Sequence, residues 1–353
     1  MSRNRKRDIT SGGSAVLRHA GRIAFFVLWT VLLTAVVLLG VIYVMEKGPS
    51  PTMTATFCRS MRETSAIQWI PNIFLTDEEI DALKSQNTEN VETEAVNTSL
   101  IHVAAGSAQA DAEAGDDLEL IDISYGMVKG KLLIVKDPSR VILGTSDNLG
   151  RQAGMQLTEL VGKYGGVAGI NAGGFNDENG LGNGGIPQGL VITGGVQVWG
   201  GTSTAYNVIG IDSDGVLHVG RMTGSEAIAL GIRDAVSFVT HDGVASALII
   251  NGEVQTQNLV SGVNPRTAIG QRADGAVLLL VLDGRSINTV GATMEDTCNI
   301  MLRYGAVNAG NLDGGSSSVM VYDGQIINNC ASVTGPRYIP TGFVVLPEVG
   351  SNG

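Results

Sequence analysis

The first hydrophobic run of the chain is long and almost uninterrupted, extending from Ile23 to Val44. About 20 consecutive apolar residues suffice to cross a bilayer as an α-helix. Six basic residues and one acidic residue precede the run, and basic flanks normally stay in the cytoplasm. The pattern predicts a cytoplasmic tail over residues 1–22, a transmembrane helix over 23–44 and an extracytoplasmic remainder. A cleaved signal peptide is the alternative, but its apolar core is normally shorter.

Residues 45–117 lack a sustained periodic pattern. Residues 51–56 are typical of a linker, and the small and acidic residues 106–117 are typical of a loop. Thr76, followed three residues later by Glu79, predicts a capping box at the start of a short helix. We therefore expect an extracytoplasmic stalk with one short helix in this part of the chain.

From Leu118 onward, short runs of β-branched and aliphatic residues are separated by turn signals. Asn-Gly at position 251 and Asp-Gly at positions 274 and 323 lie between apolar runs, which predicts tight hairpins. The pattern indicates an α+β domain over residues 118–350, with largely antiparallel sheets and a few packed helices.

Two segments of this domain, residues 159–174 and 299–314, resemble each other, with Asn171 aligned to Asn311. Each predicts a helix that ends at Tyr-Gly, then a short buried strand, then a polar glycine-rich loop. An internal duplication would bring the two loops near a common centre. Chance similarity between glycine-rich segments is the alternative.

Charge is distributed unevenly along the chain. The first 44 residues carry a net charge of +5, and since the whole chain carries −11, the remainder carries −16. An acidic domain repels phosphate at long range, so nucleic acid is not an expected partner. An anionic substrate would have to be captured by a local cluster of cations and amides.

The three cysteines do not form a disulfide framework, and their spacing matches no zinc site. Cys298 and Cys330 could pair outside the cell, and free buried thiols are an equal alternative. The four histidines have no metal-binding spacing either. No cofactor is predicted, and the need for a divalent cation stays open.

The densest polar loop runs from Asn308 to Ser318. Its small residues allow a substrate to approach the backbone closely, and glycine tolerates conformations that turn amides inward. Asp313 lies where a carboxylate could face a bound ligand. A hairpin turn in which the aspartate caps its own backbone is the alternative.

Other segments offer further candidate groups. The loop that begins at Asn171 could bind sugar hydroxyls, and Arg266, stiffened by the preceding proline, has a planar fork suited to phosphate or carboxylate. Asp283 ends an apolar run and could be only a turn. Glu295 lies in the first turn of a predicted helix, where the helix dipole explains it, and it could also be a second active carboxylate.

Several familiar motifs are absent or misleading. Residues 180–185 match the dinucleotide-binding fingerprint by letter but lack the strand–helix context that it requires. The nucleophile elbow of serine hydrolases is missing. Ser316 and His241 could still form a nucleophile pair if the fold brought them together.

Six motifs occur in order: Asn171-Ala-Gly-Gly-Phe, Asn264-Pro-Arg-Thr-Ala-Ile-Gly, Asp283-Gly-Arg, Gly291-Ala-Thr-Met-Glu-Asp, Asn311-Leu-Asp-Gly-Gly-Ser-Ser and Arg337-Tyr-Ile-Pro-Thr. This set resembles the phosphodiester glycosidase family over roughly residues 118–346. The family usually has Asp-Gly-Gly-Gly-Ser, whereas this chain has Asp-Gly-Gly-Ser-Ser-Ser, and Ala172 stands where glycine is common.

The resemblance implies hydrolysis of a sugar-1-phosphodiester at the anomeric carbon, in a glycan or cell-envelope polymer. Asp313 would be the principal carboxylate and Glu295 its partner. The expected substrate-binding residues are Arg266, Arg337, Asn171, Asn311, Gly314, Gly315, Ser316 and Asp283.

Two other functions compete with this reading. A non-catalytic module that binds exopolysaccharide or cell-wall polymer would keep the loops without needing aligned carboxylates. A serine hydrolase would use Ser316 as its nucleophile.

Overall fold

The computed structural model describes residues 11–64, 67–84, 87–103, 117–147, 149–151, 153–176, 184–286, 289–330 and 335–348, with the side chains from residue 19 onward. The chain divides into two compact units, Met1–Thr54 and Ala55–Gly353.

The first unit is dominated by helix α1, Ser11–Lys47. Its segment His19–Lys47 has a mean hydropathy of 2.7 and is, by length and composition, able to cross a membrane. The hydroxyls of Thr30 and Thr34 each donate to the carbonyl four residues earlier, at 2.8 Å. These bonds satisfy the hydroxyls of the two threonines, as an apolar surrounding requires.

The described part of the chain contains five further α-helices: α2 Pro51–Arg62, α3 Asp77–Ala82, α4 Leu157–Lys163, α5 Gly224–Ala229 and α6 Met294–Arg303. The strands are β1 Leu118–Tyr125, β2 Val128–Val135, β3 Val141–Thr145, β4 Ala168–Asn171, β5 Phe175–Asn176, β6 Ile186–Pro187, β7 Val191–Thr193, β8 Val196–Trp199, β9 Ala205–Asp212, β10 Leu217–Thr223, β11 Ile232–Ser237, β12 Ala247–Ile250, β13 Glu253–Val254, β14 Arg266–Arg272, β15 Val277–Leu282, β16 Ala306–Asn311, β17 Met320–Tyr322, β18 Gln325–Ile326 and β19 Thr341–Val345.

The region that precedes β1 is more ordered than its sequence suggests. Residues 51–56, expected to be a linker, form the first turns of α2, because a proline is well tolerated at the start of a helix. The predicted capping box of α3 is present, with Thr76 Oγ1 accepting from Glu79 N at 3.2 Å and Glu79 Oε2 accepting from Thr76 N at 2.9 Å. Thr88 hydrogen-bonds both Ala245 and Asn258, so this segment packs on the β-domain.

Three larger sheets form the domain. Their strand orders are β1-β2-β15-β14-β16-β12-β13, β10-β9-β11-β7-β8 and β18-β17-β4-β19-β3, and β5 pairs with β6 in a separate ribbon. All the ladders between these strands are antiparallel. The predicted α+β class with largely antiparallel sheets is confirmed.

The hairpins occur at the predicted turn pairs. Asn251 and Asp323 adopt positive φ values of 55° and 48°, and each is followed by a glycine that is also left-handed. Gly275 has a φ of 90° between β14 and β15. Few residues other than glycine, asparagine and aspartate occupy this region at low cost, so these turns fix where the strands reverse.

The main hydrophobic core lies between the larger sheets. It combines side chains such as Leu133 of β2, Ile170 of β4 and Ile209 of β9, all fully buried. Burying one such side chain contributes roughly 1.5–3 kcal/mol, so the shared core holds the sheets together. Helix α6 covers the outer face of the seven-stranded sheet, with Ile300 and Met301 packed in a second cluster.

The two similar segments have the same local structure. The first forms α4 and then β4, the second forms α6 and then β16, and each helix is followed by a left-handed glycine, Gly165 or Gly305. The two strands lie in different sheets. The helix–strand–loop unit predicted for both segments is therefore present twice.

Candidate active site

The site forms where β14 begins and β16 ends. Because these strands are antiparallel neighbours, Arg266 at the start of β14 and the loop that follows Asn311 lie at the same edge of the sheet. Leu312 N donates to Thr267 O at 2.8 Å, and Gly315 N donates to Pro265 O at 2.9 Å. These bonds hold the Asp313 loop against the start of β14.

The loop that follows β4, in the first of the two similar segments, also hydrogen-bonds Asp313. Asp313 N donates to Ala172 O at 3.0 Å, and Asn171 Nδ2 donates to Asp313 O at 2.6 Å. Both main-chain polar groups of Asp313 are thus bonded to the end of β4. The two glycine-rich loops therefore meet at this residue, although they extend from different sheets.

Asp313 and Arg266 share one cavity of about 720 Å³, within the range of small-molecule sites. Its lining residues are Arg62, Glu63, Lys84, Asn87, Glu89, Gln188, Phe238, Val239, Thr240, His241, Asp242, Gly243, Asn264, Arg266, Asp313, Gly314 and Gly315.

Asp313 is partly buried in the wall of this cavity. Loss of hydration raises the pKa of its carboxyl to about 7, and hydrogen bonds from the Ser317 side chain and the Gly314 N–H lower it by less. A carboxyl that titrates near neutrality is suited to proton transfer or to activating a nucleophile.

Arg266 is buried and closely held. Its Nη2 donates to Glu63 Oε2 at 2.8 Å and to Gly262 O at 2.6 Å, and its Nε donates to Ala292 O at 3.2 Å. Glu63 also accepts from Asn264 Nδ2 at 2.7 Å and from Gly262 N at 2.9 Å. Sequence analysis did not identify Glu63, because this residue follows α2 in a region that was expected to be a stalk.

Asn171 and Asn311 do not present their amides to the cavity. Asn171 is 1 % exposed, and its Oδ1 accepts from Thr267 Oγ1 at 2.8 Å and Val319 N at 3.1 Å. Asn311 is equally buried and donates to Leu312 O at 2.9 Å. The expected contacts with sugar hydroxyls do not fit these arrangements, and Asn171 instead positions the Asp313 loop.

The amides of Gly314 and Gly315 are also occupied. Gly314 N–H bonds the Asp313 carboxyl, and Gly315 N–H donates to Pro265 O. The expected donation to substrate is therefore replaced by a local role. A Cβ on Gly314 would lie 2.9 Å from Pro265 O, so only glycine permits this close approach.

Arg337 supports the serine part of the loop. It lies over the Phe175 ring at 4.7 Å and donates from Nη1 to Ser316 Oγ at 3.2 Å. Burial lowers the pKa of its guanidinium. Ser316 thus bonds an arginine, and among the described residues no hydrogen bond joins it to His241, an exposed residue of the cavity wall. The arrangement does not favour a serine nucleophile.

Glu295 and Asp283 lie outside the cavity that Asp313 and Arg266 share. Glu295 is exposed in the first turn of α6, and Asp283 accepts from Asn329 N at 2.9 Å, while burial raises the pKa of its carboxyl. Neither lines the cavity. The helix dipole favours the negative charge of Glu295 in the first turn of α6, and the carboxylate beside Arg266 is Glu63 instead.

The described residues contain no group of three or more histidine, cysteine, aspartate and glutamate side chains placed to hold a metal ion. Cys58, Cys298 and Cys330 are free thiols, so the pairing considered for the last two is not formed. Burial, with a smaller contribution from Glu295, raises the pKa of Cys298 to about 11. This thiol is therefore a packing group.

Comparison with known proteins identifies a family over this region. Residues 164–346 match the family described as phosphodiester glycosidase. The chain is 38% identical over 85 residues to an SPbeta prophage-derived uncharacterized protein, YomE, of Bacillus subtilis (strain 168), covering 24% of this chain and 13% of that protein. It is 26% identical over 171 residues to N-acetylglucosamine-1-phosphodiester alpha-N-acetylglucosaminidase of Bos taurus, covering 44% of this chain and 31% of that protein.

The chain thus spans less than a third of the length of either relative. Among solved structures, it is similar to the zebrafish N-acetylglucosamine-1-phosphodiester alpha-N-acetylglucosaminidase catalytic domain auto-inhibited by pro-peptide, with a TM-score of 0.54 and 20% identity over 68% of this chain and 86% of that chain. At that identity the similarity concerns the fold.

Proposed function

Because the chain belongs to the phosphodiester glycosidase family, we propose that it hydrolyses a sugar-1-phosphodiester. Water adds at the anomeric carbon, the bond from that carbon to the phosphate oxygen breaks, and the products are a free sugar and a phosphate monoester. The observation that carries the proposal is that Asp313 and Arg266 line the same cavity. The pKa of Asp313 is about 7, and Arg266 has a guanidinium, a group that suits phosphate.

In this mechanism Asp313 acts in its ionised form. Its carboxylate either activates a water molecule or attacks the anomeric carbon directly. Glycosidases usually need a second carboxyl group to protonate the leaving oxygen. A phosphate monoester leaves readily without that proton, so one carboxylate with a cationic partner is sufficient. The guanidinium of Arg266 balances the charge of the departing phosphoryl group.

Polar residues on the other walls would bind the sugar. Gln188, Thr240 and His241 line the same cavity and offer donors and acceptors for hydroxyl groups. Arg62 and Lys84 also line it and would favour an anionic substrate at short range, despite the acidic net charge of the domain.

The test is hydrolysis of a panel of activated sugar-1-phosphodiesters by the full chain in detergent, with both sugar and phosphate monoester measured. Asp313→Asn should abolish turnover while the protein stays folded. Asp323→Asn is the matched control, because it makes the same change in another Asp-Gly turn, which lies at the β17–β18 hairpin and not at the cavity. Equal turnover in the Asp313→Asn variant, or no turnover on any diester, would refute the proposal.

A polymer-binding module is the weaker candidate, because mere binding gains nothing from a carboxyl group held near its titration point. We also propose that α1 anchors the enzyme with residues 1–22 in the cytoplasm and the domain outside the membrane, where glycans and envelope polymers would be its substrates. Protease added to intact cells should then digest the domain and spare an N-terminal tag; the reverse pattern would reject this orientation.

A further inference from the structure

Three hydrogen-bond donors converge on one carboxylate at the edge of the cavity. The Glu63 side chain accepts from Gly262 N, Asn264 Nδ2 and Arg266 Nη2 at 2.9, 2.7 and 2.8 Å. The Glu63 side chain is only 12% exposed. A backbone amide, a side-chain amide and a guanidinium around one anionic group form the kind of site that binds phosphoryl or carboxylate oxygens.

We propose that Gly262, Asn264 and Arg266 form a phosphoryl subsite and that Glu63 is its internal, competing ligand. Substrate phosphate and the Glu63 carboxylate would then exclude each other. The identity of the natural ligand of this subsite rests on the proposed function. The competition between phosphate and the Glu63 carboxylate can be measured without catalysis.

The hydrogen bonds of Arg266 make the competition direct. Its Nε is bonded to Ala292 O and its Nη2 to Gly262 O and Glu63, which leaves Nη1 as the guanidinium nitrogen with no hydrogen bond among the described residues. Two-point binding of a phosphate by the Nη1–Nη2 edge therefore requires the Glu63 carboxylate to leave Nη2. While Glu63 is bonded to Nη2, a phosphate could accept a hydrogen bond from only one guanidinium nitrogen, Nη1.

The segment that carries Glu63 is suited to opening. It lies outside the family match over residues 164–346, whereas all three donors lie inside it. Its own apolar cluster contains just three buried side chains, Cys58, Leu75 and Ile80, separate from the cores between the sheets. Segments with few buried apolar contacts open locally at low free-energy cost.

Hydrogen bonds define the closed position of this segment. Ser60 Oγ accepts from Val263 N at 2.7 Å, and Thr64 Oγ1 donates to Asn264 Oδ1 at 3.3 Å. Both contacts lie on the same short loop that supplies the donors to Glu63. Release of the end of α2 would therefore free the whole subsite in one step.

The test is the binding of inorganic phosphate to the full chain in detergent, measured by calorimetry. Glu63→Ala should bind phosphate more tightly than the wild type, and a gain of about ten-fold corresponds to a subsite that Glu63 occupies about nine-tenths of the time. Glu94→Ala, which removes an exposed glutamate from a neighbouring part of the chain, should not change the affinity. Adding Arg266→Ala to Glu63→Ala should remove the gain.

Unchanged or weaker phosphate binding by folded Glu63→Ala would overturn the proposal. If that variant fails to fold because Arg266 is left unpaired, Glu63→Gln keeps an acceptor for Arg266 while removing the charge, and a smaller gain is expected from it because a neutral acceptor competes more weakly with phosphate. Loss of turnover without a gain in phosphate affinity would make Glu63 a catalytic group and would also overturn the competition. Tighter phosphate binding without turnover on any diester would support the subsite and refute the proposed function alone.

Discussion

The strongest quantitative prediction concerns the stability of the Asp313→Asn variant. In the folded protein the Asp313 carboxyl has a pKa of about 7, against an ordinary value of 3.8, chiefly because burial removes its hydration. Between these two values the folded protein keeps a proton that the unfolded chain releases. Wild-type stability should therefore fall as the pH rises from about 4 to about 7, and the loss should be complete above that range.

The magnitude follows from the two pKa values. Their separation corresponds to about 4 kcal/mol in the free energy of unfolding, and the part that develops between pH 5 and pH 8 is about 2.5 kcal/mol. Asparagine has nearly the same shape, can still accept from the Gly314 N–H and does not titrate. The variant should therefore gain about 2.5 kcal/mol relative to the wild type between pH 5 and pH 8.

The assay is chemical denaturation of the full chain in detergent, followed by tryptophan fluorescence, at both pH values. The quantity of interest is the stability difference between variant and wild type at pH 8 minus the same difference at pH 5. Asp323→Asn, the same exchange in a hairpin turn away from the cavity, is the control, and the value for Asp313→Asn should exceed that of the control by about 2.5 kcal/mol. Equal values for the two variants would refute the reasoning.

Three further predictions follow from the site. Activity per active site, as kcat/KM, should rise with pH through about 7 as Asp313 ionises; a profile that falls over this range would assign it to proton donation instead. Arg266→Lys keeps the charge but loses the fork, so kcat/KM should fall about ten- to hundred-fold with KM most affected, and an unchanged KM would argue against phosphate binding. Gly314→Ala should lower the melting temperature because its Cβ meets a carbonyl oxygen at 2.9 Å, whereas Gly162→Ala, with open space around its Cβ, should leave it equal or higher; equal losses would contradict the packing argument.

Local sequence signals predicted much of the fold. The Asn-Gly and Asp-Gly turns were identifiable because a left-handed backbone restricts the choice of residues, and Thr76 with Glu79 marked a helix start by the same kind of local chemistry. The partnership of β14 and β16 was not visible locally, because β15 and α6 separate them along the chain. The family resemblance assigned Arg266 and Asp313 to one site, but it did not predict that their strands pair.

The sequence could not predict the hydrogen-bond partners of individual polar side chains. Asn171 has the amide that a sugar site needs, but Thr267 and Val319 of distant segments occupy its oxygen. Glu63 became part of the site because the end of α2 packs on the loop at Gly262, where a Cβ would lie 2.4 Å from Ser60 N. Such contacts depend on tertiary neighbours, which carry no local pattern.

The paired bonds between Asp313 and the end of β4 have a consequence for evolution and engineering. A loop built largely of glycine and serine would ordinarily be flexible, yet here hydrogen bonds to two separate sheets hold the Asp313 loop in position. Substitutions in the core that these two sheets share, which includes Ile170 of β4 and Ile269 of β14, should therefore alter turnover before they noticeably alter melting behaviour. Catalytic rate would report on the alignment of the two layers more sensitively than any measure of global folding.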